Sequence, residues 1–209
     1  MTIAYDFGDA LYLNITNRCP CDCNFCLRRE GEGVNSGQSL WLDHEPSLDE
    51  IKQALDAVDY NRYTEVVFCG YGEPCERLDI LLSTAQYIKD KTTLPIRLNT
   101  NGLSDLINKD LVEKAEKNST NDASSTAKLL AKCIDRISIS LNAPDAETYN
   151  ALCHPDFEDS FNALIAFAKE CKHEFKEVTL SVVAHSLDKE AVERCRALCS
   201  ELGLPLRLR

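Results

Sequence analysis

Six short runs of apolar and β-branched residues alternate with amphipathic stretches, and this alternation is the strongest constraint on the fold of the chain. The runs cover residues 11–15, 65–69, 96–99, 137–141, 178–184 and 204–208. Most of them are almost continuously apolar, which is typical of parallel strands covered by helices. The sequence therefore predicts one α/β domain over residues 1–209, a partial (βα)6 TIM-like barrel with right-handed crossovers. Six strands rather than eight would leave the barrel open on one side.

Helices are expected in the amphipathic stretches between these runs. One begins after Ser47, a good N-cap residue followed by acidic residues. The others are predicted for residues 78–89, from near Asp110, for residues 157–175 and for residues 188–202, where Gly203 suits a helix C-terminus.

Two segments without this periodicity are predicted to be loops. Residues 28–45 contain three glycines and the only tryptophan, Trp41. They are expected to form a mobile lid within a longer loop over residues 16–45, although a solvated loop with Trp41 beneath it fits the sequence equally well. Residues 118–126 are polar and low in complexity, which predicts a surface insertion.

The composition favours a globular protein of a reducing compartment. Hydrophobic residues make up 44% and charged residues 27% of the chain, and the net charge of −11 argues against nucleic-acid binding, which needs a basic surface. No signal peptide and no membrane span are expected, because the sequence lacks the apolar stretches that they require. The eleven cysteines are therefore expected in the cytoplasm, where clustered thiols indicate metal binding or catalysis rather than disulfides.

Four of these cysteines lie within eight residues directly after the first predicted strand. Cys19, Cys23 and Cys26 have C-x3-C-x2-C spacing, and Cys21 adds a competing C-x-C register. An iron–sulfur cubane held by three thiolates leaves one iron open to a substrate or cofactor, whereas four ligands close that position. Cys23 and Cys26 alone would also suit half of a zinc site or a redox pair, but no second C-x2-C pair follows. We interpret Cys21 as a non-ligand.

Glycine-containing and polar segments follow the later strands. They are Gly70-Tyr71-Gly72-Glu73, Asn99-Thr100-Asn101-Gly102, Ser140-Leu141-Asn142 and Val183-Ala184-His185. Each of them alone also suits an ordinary turn. In parallel α/β folds, however, ligands bind beyond the carboxyl ends of the strands, and glycines allow a backbone to approach a ligand closely. The sequence therefore predicts one site where these loops meet.

Together these motifs resemble the radical S-adenosylmethionine (SAM) superfamily over nearly the whole chain. The resemblance implies that Cys19, Cys23 and Cys26 hold a 4Fe–4S cluster whose open iron chelates SAM. Phe25 corresponds to an aromatic position that packs near the adenine. Gly70-Tyr71-Gly72-Glu73 is similar to the GGE motif, whose backbone groups and glutamate bind the amino group of SAM, with a tyrosine in place of the usual second glycine.

The resemblance places further SAM contacts on the later strand ends. Asn99 and Thr100 lie in a segment similar to the TNG sequence of many members. Ser140 and Asn142 match positions that bind the ribose hydroxyls or the methionine carboxylate. Val183 matches a strand edge that contacts the adenine.

The resemblance implies an enzyme. A reduced cluster cleaves SAM, and the resulting 5′-deoxyadenosyl radical abstracts hydrogen from an unidentified substrate; a flavodoxin- or ferredoxin-type protein is expected as the reductant. Gly70–Pro74 and Leu152-Cys153-His154-Pro155 are most similar to small radical SAM proteins linked to TatD-type hydrolases. Cys153, predicted in the loop after the fourth strand, is a candidate catalytic thiol, although a buried cysteine is more often a small apolar filler.

Two other functions are compatible with the sequence alone. A non-catalytic iron–sulfur electron carrier would need a fourth ligand such as Cys21. A structural zinc-binding module would contain zinc without iron or sulfide. Iron, sulfide and zinc contents and the binding of SAM discriminate between these alternatives.

Overall fold

One seven-stranded sheet organises the computed structural model, which describes residues 1–29, 39–117 and 125–209. The strands are β1 (Ala4–Phe7), β2 (Ala10–Leu13), β3 (Glu65–Phe68), β4 (Ile96–Thr100), β5 (Arg136–Ser140), β6 (Glu177–Val182) and β7 (Leu206–Leu208). They are hydrogen-bonded in chain order. β1 and β2 are antiparallel, and every later pair is parallel. The predicted α/β class with a parallel sheet is confirmed.

The predicted start of the sheet is wrong, because β1 precedes the first apolar run and raises the number of strands to seven. β1 forms a hairpin with β2, in which Ala4 pairs with Leu13. It is an edge strand of four residues and includes the exposed Asp6 and Phe7. Since an edge strand of this kind is only half covered, no continuous apolar pattern marks it in the sequence. The two edges of the sheet are therefore β1 and β7.

The helices lie between the strands along the chain. Those in the described ranges are α1 (Leu48–Asp56), α2 (Leu78–Lys91), α3 (Ser104–Ile107), α4 (Lys109–Lys117), α5 (Thr126–Leu130), α6 (Ala146–Cys153), α7 (Ser160–Glu174) and α8 (Lys189–Leu202). The predicted caps are confirmed: Ser47 and Glu50 form a capping box, and Gly203 ends α8 with a φ of 63°. α5 and α6 occupy stretches for which the sequence analysis predicts no helix. None of these helices is long and apolar enough to cross a membrane.

The hydrophobic core lies between the sheet and the helices. Alternate strand residues such as Leu13, Phe68 and Leu98 are fully buried and share one cluster with Leu81 of α2 and Leu164 of α7. Because successive side chains of a strand point to opposite faces, the residues between them lie on the other face of the sheet. On β4 and β5 these are Arg97, Asn99, Arg136, Ser138 and Ser140. That face is consequently polar.

Both predicted loops extend outside the described residues. Residues 30–38 of the expected lid and residues 118–124 of the expected insertion are among those that the structure does not describe. The prediction of a surface insertion is wrong at its end, because Ser125 and Thr126 are buried at the start of α5. Asp105 accepts hydrogen bonds from the main-chain N–H of Thr126 at 2.8 Å and from its hydroxyl at 2.6 Å, which allows a polar residue to be buried there.

Candidate functional site

The predicted site residues lie at or beyond the carboxyl ends of the strands. Because β2 to β7 are parallel, the loops that follow them are on the same side of the sheet. The cysteine segment follows β2, and the segment 70–73 follows β3. Thr100 and Ser140 end β4 and β5, and Val183 comes directly after β6. The predicted residues thus lie at the end of the sheet where the carboxyl ends of the parallel strands are.

Cys21 is more deeply buried than the other three cysteines of its segment. Cys19, Cys23 and Cys26 are half-buried, whereas Cys21 is 7% exposed and belongs to the hydrophobic core. Its sulfur accepts a hydrogen bond from Asn101 Nδ2 at 3.8 Å. A side chain held in this way faces the protein interior, which favours the interpretation of Cys21 as a non-ligand.

Cys153 contacts the cysteine segment from the last residue of α6, so its prediction as a loop residue is wrong. Hydrogen bonds from the thiols of Cys153 and Cys21 lower the pKa of Cys23 to about 4. The same bond to Cys23, together with burial, raises the pKa of Cys153. A thiolate rather than a thiol is the form that binds metals. Two neighbouring thiols therefore favour the ligand form of Cys23.

The C-terminal end of α6 holds the cysteine segment through its main chain. Hydrogen bonds run from Asp22 N to Cys153 O, from Asn24 N to Leu152 O and from Asp156 N to Pro20 O, at 3.1, 2.9 and 2.8 Å. The His154 ring lies 3.0 Å from Asn24 Oδ1, and Asn24 Nδ2 donates to the Ala151 carbonyl at 3.2 Å. Residues 152–155 thus support the segment that carries the predicted cluster ligands.

We expect His154→Ala to lower the free energy of unfolding of the cluster-free protein by about 1 kcal/mol, because the bond to Asn24 is lost. His154 has a φ of 43°, in the left-handed region that favours glycine. His154→Gly removes the same bond but relieves this strain, so its loss should be smaller. Denaturant unfolding of both variants measures the difference, with the exposed His173→Ala on α7 as control. Equal losses for the two variants at 154 would contradict the role of the backbone strain.

Gly70 and Gly72 are required by contact with the chain that leads from β2 into the cysteine segment. A Cβ atom at Gly70 would lie 2.0 Å from Asn14 Oδ1, and one at Gly72 would lie 2.3 Å from the carbonyl oxygen of Thr16. The glycines therefore let two βα loops pack directly against each other. This reason is distinct from the close approach to a ligand that the sequence alone suggests.

Gly72→Ala is expected to lower the free energy of unfolding by about 2–3 kcal/mol, because its Cβ would overlap two main-chain carbonyls that cannot rotate away. Those carbonyls belong to Thr16 and Arg18, at 2.3 and 2.6 Å. Gly8→Ala is the control, since nothing lies within 4 Å of its Cβ position and only the φ of 63° opposes the change. The comparison is made by equilibrium unfolding, and similar losses at the two positions would refute the packing argument.

Glu73 joins two strand-end segments from a buried position, with 4% of its surface exposed. Its Oε1 accepts hydrogen bonds from Thr100 Oγ1 at 2.8 Å and from Cys75 N at 3.1 Å. Its Oε2 accepts one from Asn101 N at 2.7 Å. Burial raises the pKa of this carboxyl, and hydrogen bonds from these three donors and from the Cys75 thiol oppose that shift. Each carboxylate oxygen has about two acceptor positions, and Asn101 N occupies one of those on Oε2.

Residues 39–45, the described end of the expected lid, are anchored on neighbouring segments. Leu40 and Tyr71 are buried together, and the Trp41 ring packs edge-on against Tyr71 with 5.3 Å between centroids. Asn17 accepts a hydrogen bond from Leu42 N at 3.1 Å and donates one to Leu42 O at 2.7 Å. This part of the segment therefore covers the residues that follow β3.

A cavity of about 280 Å³ is lined by residues of both edge strands, β1 and β7. Three predicted site residues, Gly70, Tyr71 and Asn99, line it, as does Leu27 beside Cys26. Other lining residues carry no prediction from the sequence, among them Tyr5, Phe7, Tyr12, Arg97, Ser138, Arg207 and Arg209. Wider clefts elsewhere on the molecule contain none of the predicted site residues. The cavity is therefore the best candidate for a ligand-binding site.

Comparison with known proteins confirms the superfamily. The family model of the radical SAM superfamily matches residues 13–199, from the end of β2 to the last turn of α8. The chain belongs to the radical SAM superfamily. Nearly all members of this superfamily are enzymes, and membership supports SAM-dependent radical chemistry in general. The narrower likeness to TatD-linked members is not tested by this match.

Solved radical SAM structures share the fold of the chain. Methylornithine synthase (PylB) is 17% identical with a TM-score of 0.64 over 96% of this chain and 52% of its own. SuiB of Streptococcus suis bound to S-adenosylmethionine is 18% identical with a TM-score of 0.65 over 97% of this chain and 40% of its own. The hydrogenase maturase HydG is 12% identical with a TM-score of 0.59 over 95% and 42%. The chain spans about half the length of these proteins or less, and the likeness concerns the fold alone. A search of curated proteins gives no match.

Radical SAM membership implies a 4Fe–4S cluster and SAM, and the residues present suit both. Among the described residues, no three His, Cys, Asp or Glu side chains converge tightly enough to hold a single metal ion. A cubane does not require such convergence, because each thiolate binds a different iron. Asn142 Oδ1 is buried without a hydrogen-bond partner, and Asn142 Nδ2 donates to Cys153 Sγ at 3.8 Å. An unpaired acceptor close to the cysteine segment suits a ligand hydroxyl.

The remaining predicted SAM contacts occupy different surroundings. Ser140 accepts a hydrogen bond from Arg209 Nη2 at 3.1 Å, beside the cavity. Phe25 and Val183 are half-buried and do not line the cavity, and neither does Cys153. The structure therefore brings Gly70, Tyr71 and Asn99 together around the cavity, and the other predicted SAM contacts are not part of its lining.

Proposed function

We propose that the chain is a radical SAM enzyme in which Cys19, Cys23 and Cys26 hold a 4Fe–4S cluster at the mouth of the 280 Å³ cavity. The observation that carries this proposal is the position of Leu27, which follows Cys26 directly and lines the same cavity as Gly70 and Asn99. When bound, the cluster and SAM supply a 5′-deoxyadenosyl radical that abstracts hydrogen from the substrate.

The residues of the chain bind and orient the cofactor in this proposal. The main chain at Gly70–Tyr71 and the second acceptor position of Glu73 Oε2 hold the amino group of SAM. Asn142 Oδ1 accepts a hydrogen bond from a hydroxyl of the ribose, and Ser140 contributes a second polar contact. Phe25 and Val183 contact the adenine. Each role is assigned on the resemblance to the family motifs together with the positions described above.

Apolar side chains exclude water from the cavity in this proposal. Leu40 and Tyr71 are 2% and 6% exposed and form one wall, and Trp41 covers Tyr71 from outside. A dry site protects a reactive radical from side reactions. Cys153 is buried against Cys23, and its proposed contribution is to the cysteine segment rather than to the substrate.

The partners and location belong to the same proposal. A flavodoxin- or ferredoxin-type protein supplies the electron in the cytoplasm. The segments 70–74 and 152–155 support a functional link to a TatD-type hydrolase through their likeness to TatD-linked radical SAM proteins.

The test is anaerobic reconstitution with iron and sulfide, followed by incubation with SAM and dithionite. We expect 5′-deoxyadenosine and methionine to form, and we expect neither from a variant in which cysteines 19, 23 and 26 are all alanine. A reconstituted wild-type protein that contains the cluster but neither binds nor cleaves SAM would refute the proposal. Iron and sulfide without SAM binding would favour an electron carrier, and zinc alone a structural module.

A further inference from the structure

The edge strand β7 and the residue that follows it contribute two arginines to the lining of the cavity. Arg207 and Arg209 are two residues apart and therefore lie on the same face of the sheet. Both line the cavity together with Tyr5, Phe7 and Tyr12 of the first hairpin. The Tyr12 ring contacts the rings of Tyr5 and Phe7, with 5.4 Å between centroids in each pair. The lining of the cavity thus combines cationic and aromatic residues.

The positive charge of this cavity is not balanced by the acidic residues around it. Arg97 also lines the cavity, but Glu65 neutralises it with hydrogen bonds of 2.8 to 3.3 Å. Arg209 donates to the neutral Ser140, and the Arg207 side chain makes no hydrogen bond or ion pair with the part of the chain that the structure describes. No aspartate or glutamate lines the cavity within the described ranges.

Arg207 and Arg209 are both exposed to solvent on the same face of the sheet, so a ligand can reach them. The chain as a whole carries a net charge of −11, so a cavity with two uncompensated guanidinium groups runs against the general charge of the molecule. A guanidinium group offers a planar fork of N–H donors that matches a carboxylate or a phosphate. The cavity is therefore complementary to an anion.

We propose that Arg207 and Arg209 bind the anionic group, a carboxylate or a phosphate, of a small substrate whose apolar part packs against Tyr5, Phe7 and Tyr12. That this anion is a substrate rests on the proposed function. The inference adds the chemical class of the substrate. Gly70, Tyr71 and Asn99 line the same cavity, so the bound substrate lies beside the predicted SAM contacts. Most of the other predicted SAM contacts lie outside it.

The experiment is a calorimetric titration of the cluster-loaded protein with phenyl phosphate and with benzoate. We expect saturable binding of at least one probe, tighter than that of inorganic phosphate or acetate, which lack the ring. Tighter binding of phenyl phosphate assigns a phosphate, and tighter binding of benzoate assigns a carboxylate. Arg207→Gln should weaken the binding about tenfold or more, as expected for the loss of charge-assisted hydrogen bonds.

Arg196→Gln is the matched control, because it removes the same charge from the exposed face of α8, where Arg196 pairs with Glu193 at 3.2 Å. The proposal is overturned if neither probe binds saturably, or if Arg196→Gln weakens binding as much as Arg207→Gln. It is also overturned if Arg207→Gln lowers the affinity for SAM by the same factor, since the arginine then serves the cofactor. If the probes bind to Arg207 but SAM does not bind at all, the anion site stands and the proposed radical SAM activity fails.

A second measurement needs no variant. Phenylglyoxal modifies accessible arginines, and the modified sites are mapped by mass spectrometry on the wild-type protein. Saturating probe should protect Arg207 and Arg209 and leave Arg196 reactive. Equal reactivity of Arg207 with and without the probe overturns the proposal even if Arg207→Gln does not fold.

Discussion

Replacement of Cys19, Cys23 or Cys26 by alanine is expected to abolish assembly of the 4Fe–4S cluster, whereas Cys21→Ala retains it. Each of the three half-buried thiolates is proposed to bind a different iron directly. Removal even of an indirect metal contact typically costs about 10- to 100-fold in affinity, so loss of a direct ligand should cost more. The measurement is the iron and sulfide content, with the visible absorbance, of anaerobically reconstituted variants.

Cys171→Ala on α7 is the matched control, because Cys171 is a fully buried cysteine in the part of the core formed by this helix. It reports how far the loss of a buried thiol destabilises the protein without touching the cysteine segment. If Cys21→Ala loses the cluster as completely as the three ligand variants, the register is wrong. Four cysteines would then bind the cluster, and the electron-carrier function would be favoured.

The parallel part of the fold was predictable because its strands are marked by apolar runs and its helices by amphipathic periods. The residues that make β2 to β6 are nearly all contained in runs that the sequence shows. β1 was not predictable in this way, since its four residues include Asp6 and an exposed Phe7. It depends on the hairpin with β2, which is a tertiary contact. α5 was missed for a similar reason, because its buried Thr126 depends on the hydrogen bonds that it donates to Asp105.

The strand-end loops of the site were predictable, and the cavity wall was not. The loops carry cysteines, glycines and amides whose chemistry is visible in the sequence. Arg97, Ser138 and Arg207 lie inside the predicted strands, which are recognised from their apolar residues. The alternation Ile96-Arg97-Leu98-Asn99 was the available signal, because a polar residue at every second position predicts a polar face. Which of these residues share one cavity depends on the two edges of the sheet, and no local pattern contains that information.

The glycines of the segment 70–73 show how a correct motif can have an additional physical cause. The sequence suggested that they allow a ligand to approach the backbone. In the structure, their missing side chains leave room for Asn14 and for the carbonyl of Thr16. The motif therefore connects the loop after β3 to the cysteine segment, and the geometry of the predicted SAM contacts depends on that of the predicted cluster ligands.

Glu73→Gln is expected to lower the free energy of unfolding of the cluster-free protein by about 1–3 kcal/mol, because it leaves a buried donor without a partner. The amide oxygen can still accept the hydrogen bonds of Thr100 and Cys75. The amide nitrogen, however, would face the main-chain N–H of Asn101, which now donates to Oε2 at 2.7 Å. Glu73→Ala removes both acceptor oxygens, leaves the three donors without this partner and should be less stable still. Denaturant unfolding measures both variants, with Glu76→Gln as control, whose ion pair with Arg18 at 3.8 Å is worth less than about 1 kcal/mol.

The affinity for SAM then separates the two functions of this carboxylate. If the second acceptor position on Oε2 binds the amino group of SAM, the folded, cluster-loaded Glu73→Gln protein should bind SAM about ten- to a hundredfold more weakly, since a charge-assisted hydrogen bond is lost. Glu76→Gln should bind SAM like the wild type. Unchanged affinity in Glu73→Gln, measured by calorimetry on protein with full iron content, would leave Glu73 only its role in joining the loops after β3 and β4. The amino group would then have to be held by the main chain at Gly70 and Tyr71 alone.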